Sequence, residues 1–169
     1  MNESHSFNHI NDAINKRAGR KLLPSILTSI FLIGYVWLSL LYFKVGFAVL
    51  IAIAVAIGVR EVTAAFRSTD TYISYRTLLL SAVGLTGAAW FGGIHGLAIG
   101  LVIGVAIILI GLLRKGPKGF VHSATTSTFV LVYLPFCAGF LILLARPSHG
   151  LERVMTFVSL VASNDVFGY

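Results

Sequence analysis

The sequence predicts an all-α fold, a polytopic integral membrane bundle of about six transmembrane helices with a cytoplasmic N-terminus. Hydrophobic residues make up 57% of the chain and charged residues only 11%, whereas soluble domains carry about 25% charged residues. The apolar residues form long uncharged runs separated by short polar or basic breaks, a pattern typical of a chain that crosses a bilayer repeatedly. The positive charges are also distributed unevenly between alternate breaks.

The net charge of +7 raises the question of a nucleic-acid partner. The basic residues lie between apolar runs and do not alternate with aromatic residues, so membrane topology and anionic lipid headgroups account for them better. Nucleic acid is therefore not an expected partner. The single cysteine, Cys137, excludes an intramolecular disulfide and a cysteine metal cluster.

We divide the chain into a basic cytoplasmic segment, residues 1–23, and a transmembrane helical domain, residues 24–169. The first segment suits either a short interfacial helix held by anionic headgroups or a disordered tail that sets the orientation. Residues 24–43 form an uncharged run of twenty residues, and such a helix is about 30 Å long, the thickness of the hydrocarbon core.

The other predicted helices follow from the same pattern. Arg60 and Glu61 fall at the boundary of the second helix, where we expect an ion pair. Trp90 and Phe91 end the third like an interfacial anchor, and Pro135 should kink the fifth. Residues 122–128 are rich in serine and threonine, so they should face protein or water. The five helices are predicted over residues 45–66, 76–91, 94–113, 122–145 and 151–169.

A glycine-rich turn separates the third helix from the fourth. Gly92, Gly96, Gly100 and Gly104 recur every four residues and so share one helix face, which predicts the close approach of another helix. A phosphate-binding glycine loop is the alternative interpretation. It is weaker because no lysine followed by serine or threonine comes after the glycines.

The basic residues give the orientation. With the N-terminus inside, the cytoplasmic breaks carry ten of them and the opposite side three, which is a positive-inside distribution. The cytoplasmic group is Lys16, Arg17, Arg20, Lys21, Arg60, Arg67, Arg76, Arg114, Lys115 and Lys118, and the other group is Lys44, Arg146 and Arg153. We therefore expect a multi-pass protein of the cell membrane, with its active side facing the cytoplasm.

Asp165 is the one acidic residue inside an apolar segment. A lipid-facing charge costs several kcal/mol, so such residues usually face a polar cavity and often mark a functional site. Ser163 and Asn164 beside it strengthen that interpretation. The topology places Asp165 near the cytoplasmic end of the sixth helix, where a charged cytosolic substrate could reach it.

Four stretches carry a family resemblance. They are RAGRKLLPSI at 17–26, WFGGIHGLAIGL at 90–101, LVYLPFCAGF at 131–140 and RVMTFVSLVASNDVFGY at 153–169. In this order they resemble the N-terminal part of the phosphatidate cytidylyltransferase, or CDP-diacylglycerol synthase, family, particularly its actinobacterial forms. The last stretch, which ends in a Ser/Asn-Asp-x-x-x-Tyr pattern, is the most specific of the four.

The resemblance implies an integral membrane enzyme that transfers the cytidylyl group of CTP to phosphatidic acid, releases pyrophosphate and uses Mg²⁺. It implies that Asp165 is a catalytic residue and metal ligand, acting directly on the ion or by orienting its partners. Ser163, Asn164 and Tyr169 would line the nucleotide cavity. The expected partners are CTP, phosphatidic acid and anionic membrane lipids, with a homodimer as an open possibility.

The family's C-terminal signature, a Ser-x-x-Lys-Arg run followed by Lys-Asp, His-Gly-Gly and Asp-Arg, has no counterpart in the chain. The resemblance therefore covers only the front part of the family's length, and we expect the 169-residue chain to be inactive by itself. Two other functions stay open: a small transporter or channel subunit with Asp165 as an ion or proton site, and a structural scaffold held by its glycine face.

Overall fold

The computed structural model describes residues 22–66, 73–114, 116 and 119–168, and these residues contain helices and no strands. The expected basic segment lies almost entirely outside the described residues, as does Tyr169. The all-α prediction is confirmed. The elements are α1 (Leu22–Tyr42), α2 (Lys44–Ala65), α3 (Tyr75–Leu113), α4 (Phe120–Leu131), a π-helical turn (Val132–Phe136), α5 (Cys137–Ala145) and α6 (Gly150–Phe167).

Three helical stretches are long and apolar enough to cross a bilayer, namely Lys44–Ala65, Tyr75–Leu113 and Phe120–Ala145. The apolar part of α1, Ile26–Tyr42, is shorter. Large hydrophobic side chains on these helices, such as Phe31 and Val102, are exposed, as suits a surface solvated by lipid. The chain is thus an integral membrane protein, and the count of six spans stays a prediction.

The chain divides into two compact units. The described part of the first unit is the portion of α1 up to Leu38, where the Thr28 hydroxyl donates a hydrogen bond of 2.7 Å to the carbonyl of Pro24. The second unit begins at Ser39 and contains α2 to α6. All the contacts described below belong to this second unit.

The 39-residue helix α3 reverses direction within its length. Gly93 has φ 62° and ψ −143°, a conformation open essentially to glycine. The Ser81 hydroxyl donates to the carbonyl of Gly104 across the two arms, and Gly111 lies against Thr77. The arms are therefore antiparallel, which confirms the predicted turn between the third and fourth helices.

The glycine face is confirmed in part. A Cβ at Gly96 would overlap the backbone carbonyl of Ala88, and one at Gly100 would lie 3.1 Å from the Ala88 Cβ. A Cβ at Gly104 would lie 3.0 Å from Leu131 Cδ2. A Cβ at Gly92 would meet nothing within 4 Å, so Gly92 does not belong to the packed face.

Pro135 interrupts the regular α-helix, and the kink predicted there stays a prediction. It lies in the π-helical turn that joins α4 to α5, and the helical conformation continues from Phe120 to Ala145. A wider turn accommodates the missing N–H and the bulk of the proline ring. Ser123 and Ser127 of α4 are buried, which confirms that one face of the serine and threonine stretch meets protein, while His122 and Thr125 are exposed.

The core forms where α2, α4 and α5 pack on the two arms of α3. Its fully buried members include Val59, Leu85, Leu97, Leu131 and Ile142. These five side chains come from four different elements. Because these side chains pack together around α3, its two antiparallel arms fix the positions of α2, α4 and α5 relative to one another.

Basic residues lie at both ends of this bundle. At the Gly93 end, the Lys44 ammonium donates hydrogen bonds to the carbonyls of Arg146 and Pro147, and the Arg146 guanidinium lies beside Gly93. The opposite end, which we call the Arg60 end, carries Arg60 and the start of α3. Lys44 and Arg146, which the sequence analysis assigned to the same side of the membrane, therefore lie at the same end of the bundle. The assignment of one end to the cytoplasm stays a prediction.

Candidate functional site

Helix α6 positions the acidic residue on which the predicted site depends. It begins after a tight turn in which the Gly150 N–H donates to the carbonyl of Pro147 at 3.0 Å. A Cβ at Gly150 would overlap the carbonyl of Ala145, so glycine is what lets α6 start so close to the end of α5. Gly150 and Val154 are the buried residues of this helix, and its contacts are with α5.

Asp165 points to the same side of α6 as its packed face. Eleven residues separate it from Val154, and at 3.6 residues per turn the two side chains differ by only about 20° around the helix axis. Val154 is 1% exposed because that side packs near α5. Asp165 thus shares the direction of Val154 about three turns farther along the helix, where the described side chains are exposed.

Ser163 lies on the other side of the helix. Its direction differs from that of Val154 by about 180°, and it lines an open groove along α6 whose volume is about 530 Å³. Glu152, Met155 and Ser159 line the same groove, and Asp165 does not. The three consecutive polar residues of the predicted site therefore do not line one cavity on this helix.

The carboxylate of Asp165 is exposed, as are the side chains of Ser163 and Asn164. The backbone carbonyl of Asn164 accepts the N–H of Gly168 at 2.8 Å, which closes the last turn of α6. Within the described residues Asp165 makes no hydrogen bond or ion pair with another side chain. Its oxygens are therefore available to a ligand or to another part of the protein.

The donor chemistry fits a magnesium ion in one respect. Mg²⁺ takes oxygen ligands and is commonly held by one or two carboxylates together with substrate phosphates and water. Asp165 supplies one such carboxylate, whereas the described residues contain no group of three or more His, Cys, Asp or Glu side chains that could hold a metal by themselves. The assignment of Ser163, Asn164 and Tyr169 to nucleotide binding stays a prediction.

A second polar feature, at the Arg60 end, was not found from the sequence. Arg60, Thr63 and Ala64 near the end of α2 and Tyr75 at the start of α3 line a pocket of about 360 Å³. The sequence signal was present in the spacing of Arg60 and Thr63, which places them on one helix face. Their apposition with Tyr75 depends on tertiary structure.

The expected ion pair between Arg60 and Glu61 is wrong for the described part of the chain, where the Arg60 guanidinium has no carboxylate within ion-pair distance. Adjacent residues on a helix point about 100° apart, so their side chains do not face each other. Both side chains are exposed. Arg60 therefore keeps its hydrogen-bond donors free for another partner.

The interfacial anchor predicted at Trp90 and Phe91 stays a prediction. Phe91 is 85% exposed, as an interfacial anchor would be, but Trp90 packs against the core. Trp90 lines an apolar groove of about 230 Å³ together with Val45, Val49 and Val83. The tryptophan therefore contributes to the packing of α2 on α3.

These features define an integral membrane protein of packed apolar helices, with basic residues at both ends and an exposed carboxylate near the end of its last described helix. A model of the cytidylyltransferase family matches residues 24–169. Because that match covers most of the chain, the protein belongs to the cytidylyltransferase family, and the resemblance drawn from the four sequence stretches is confirmed at the level of the family. Neither a curated protein nor a solved structure matches significantly. The family assignment makes the protein a transferase of cytidylyl groups.

Proposed function

We propose that this protein takes part in phospholipid biosynthesis as a membrane-embedded nucleotidyltransferase that converts CTP and phosphatidic acid into CDP-diacylglycerol and pyrophosphate. The observation that carries the proposal is the family match over residues 24–169. The apolar helices support a lipid substrate, because a membrane-embedded enzyme can receive a lipid headgroup at the bilayer surface while its acyl chains stay in the hydrocarbon layer. The four sequence stretches that resemble phosphatidate cytidylyltransferases favour phosphatidic acid as the acceptor.

The proposed reaction is a phosphoryl-type transfer. An oxygen of the phosphatidate phosphate attacks the α-phosphorus of CTP, a new P–O bond forms, and the bond between the α- and β-phosphates breaks as pyrophosphate leaves. Such reactions depend mainly on positioning and on neutralising the negative charge of the phosphate oxygens. When bound, Mg²⁺ would supply that neutralisation.

We assign Asp165 as the residue of α6 that holds or orients this ion. Its carboxylate is the right type of ligand, its side chain is exposed, and the described residues leave it without a competing partner. Asn164 offers a neutral amide next to it. Tyr169, the last residue of the matched motif, is proposed to contact the nucleotide.

Substitution of Asp165 tests this assignment. In membranes from cells that express the complete gene, together with any coding sequence downstream of Tyr169, Asp165→Asn should reduce CTP- and phosphatidate-dependent formation of CDP-diacylglycerol by about 100-fold, since an amide of the same shape cannot replace the carboxylate charge. Glu152→Gln is the matched control, because Glu152 is an exposed acid in the first turn of the same helix. The control should keep its activity within about twofold. Equal activity in the two variants would contradict the role of Asp165.

Substrate competition tests the lipid and the nucleotide separately. CTP should be preferred to UTP and ATP, and phosphatidic acid to phosphatidylglycerol, whose phosphate is already a diester. Removal of divalent metal with EDTA should abolish the activity and Mg²⁺ should restore it. If the protein transferred the cytidylyl group of CTP but the transfer did not depend on phosphatidic acid, the family assignment would stand. Phosphatidic acid as the acceptor would then be wrong.

The orientation can be tested in sealed vesicles of known sidedness. The ten-to-three distribution of basic residues supports a cytoplasmic Arg60 end. CTP does not cross the bilayer, so inside-out vesicles should be active without permeabilisation and right-side-out vesicles should need it. The opposite result would place the active side outside.

A further inference from the structure

The pocket at the Arg60 end has the features of an anion site. Arg60, Thr63 and Ala64 of α2 and Tyr75 of α3 line it, and its volume of about 360 Å³ falls within the usual range for small-ligand pockets, which is about 300–1,000 Å³. The described lining contains one guanidinium and no carboxylate. Glu61 follows Arg60 but does not line the pocket, so the local charge favours an anion.

The available donors can be counted from the hydrogen bonds. The Thr63 hydroxyl donates its proton to the carbonyl of Val59 at 2.7 Å, so Thr63 is not a donor to a ligand. The Arg60 guanidinium and the Tyr75 hydroxyl have no partner among the described residues. A planar guanidinium can form two parallel hydrogen bonds to a phosphate group, and a phenolic hydroxyl can add a third.

The position of Arg60 along α2 indicates where the anion comes from. Lys44 and Arg60 bound an uncharged run of fifteen residues, and their Cα atoms lie about 24 Å apart along the helix axis. That distance is shorter than the hydrocarbon thickness of about 30 Å, so long basic side chains extend outward to the level of the lipid phosphates. We therefore expect the guanidinium of Arg60 to reach the depth of phospholipid headgroups.

We propose that this pocket binds the phosphate of an anionic membrane phospholipid, with Arg60 and Tyr75 as the donors. The bound lipid is held and not converted, because the described lining offers no carboxylate or histidine for acid–base chemistry or for metal binding. The site is built from α2 and α3 and shares no residue with α6. It therefore has no residue in common with the site proposed at Asp165.

Native mass spectrometry of the purified protein tests the site by counting retained lipids. With phosphatidylglycerol and phosphatidylcholine supplied together, the wild type should retain one phosphatidylglycerol in preference to phosphatidylcholine. Arg60→Gln should weaken that retention by about tenfold or more, and Tyr75→Phe by about threefold, as expected for the loss of a charged and of a neutral hydrogen-bond donor. Circular dichroism would verify that both variants are folded.

Arg76→Gln is the matched control. It removes the same charge from an exposed residue next to Tyr75 that does not line the pocket. At about 0.15 M salt, which screens exposed charges, this variant should change retention by less than about twofold. Equal losses for Arg60→Gln and Arg76→Gln would show diffuse attraction to the membrane surface and overturn the pocket assignment.

Soluble competitors separate a lipid site from a site for free phosphate. Inorganic phosphate or CTP at millimolar concentration should not displace the retained phosphatidylglycerol. Displacement by either one would assign the pocket to a soluble phosphate compound and contradict the lipid proposal. Because phosphatidylglycerol is not the proposed acceptor, the result does not depend on whether the protein uses phosphatidic acid.

Discussion

The antiparallel packing of the two α3 arms predicts that Gly96→Ala destabilises the protein. A Cβ at this position would overlap the backbone carbonyl of Ala88 on the other arm. A backbone atom cannot rotate away as a side chain does, so the arms would have to separate. Because α2, α4 and α5 all pack on α3, the separation would loosen the whole core.

The size of the effect follows from two opposing contributions. Overpacking costs about 1–3 kcal/mol, while replacing a helical glycine with alanine returns about 1 kcal/mol of helix propensity. Gly84→Ala supplies the control, because a Cβ there meets nothing within 4 Å. The control should therefore gain about 0.5–1 kcal/mol, so the two variants should shift stability in opposite directions.

Thermal unfolding in detergent, followed by circular dichroism, measures both variants. The two contributions leave a net cost of up to about 2 kcal/mol for Gly96→Ala. At about 2–4 °C per kcal/mol for a chain of this size, Gly96→Ala should lower Tm by up to about 8 °C and Gly84→Ala should raise it by about 1–4 °C. If both variants raise Tm by similar amounts, only helix propensity is acting. That result would refute the close approach of the two arms at Gly96.

Three further changes test other parts of the structure by the same assay. Ser127→Ala should raise stability by about 1 kcal/mol, because the hydroxyl is buried without a partner among the described residues; a clear loss would reveal an unrecognised partner. Lys44→Met should cost about 1–2 kcal/mol by removing hydrogen bonds to carbonyls that include that of Pro147, whereas Arg153→Met, an exposed cation of α6, should be nearly neutral; equal effects would contradict a specific role for Lys44. Gly93→Ala should cost about 1–3 kcal/mol, since its φ of 62° and ψ of −143° strain any residue with a Cβ, and an unchanged Tm would mean that the turn can relax.

Much of the fold could be predicted from the sequence because apolar run length, glycine spacing and charge placement are local signals. The reversal near Gly93 was visible as a cluster of glycines between two apolar runs. The packed face at Gly96, Gly100 and Gly104 followed from their spacing of four residues. Gly92 fits the same spacing, yet it lies before the turn and meets no neighbouring helix.

The candidate site was less predictable because side-chain direction and tertiary contacts decide it. Ser163 and Asp165 are close in sequence, but on a helix they point to nearly opposite sides. Arg60 and Glu61 do not pair for the same geometric reason. The pocket between Arg60 and Tyr75 joins residues from two helices, and no local pattern in either helix indicates the other.

The most direct test of the proposed function follows the phosphorus atoms of CTP. Membranes from cells that express the complete gene, together with any coding sequence downstream of Tyr169, are incubated with phosphatidic acid, Mg²⁺ and CTP labelled at either the α- or the γ-phosphate. The proposed reaction predicts that the α-label appears in a chloroform-soluble liponucleotide and the γ-label in pyrophosphate, in equal amounts. Absence of α-label from the lipid fraction, beyond that of membranes without the protein, would contradict cytidylyl transfer to phosphatidic acid.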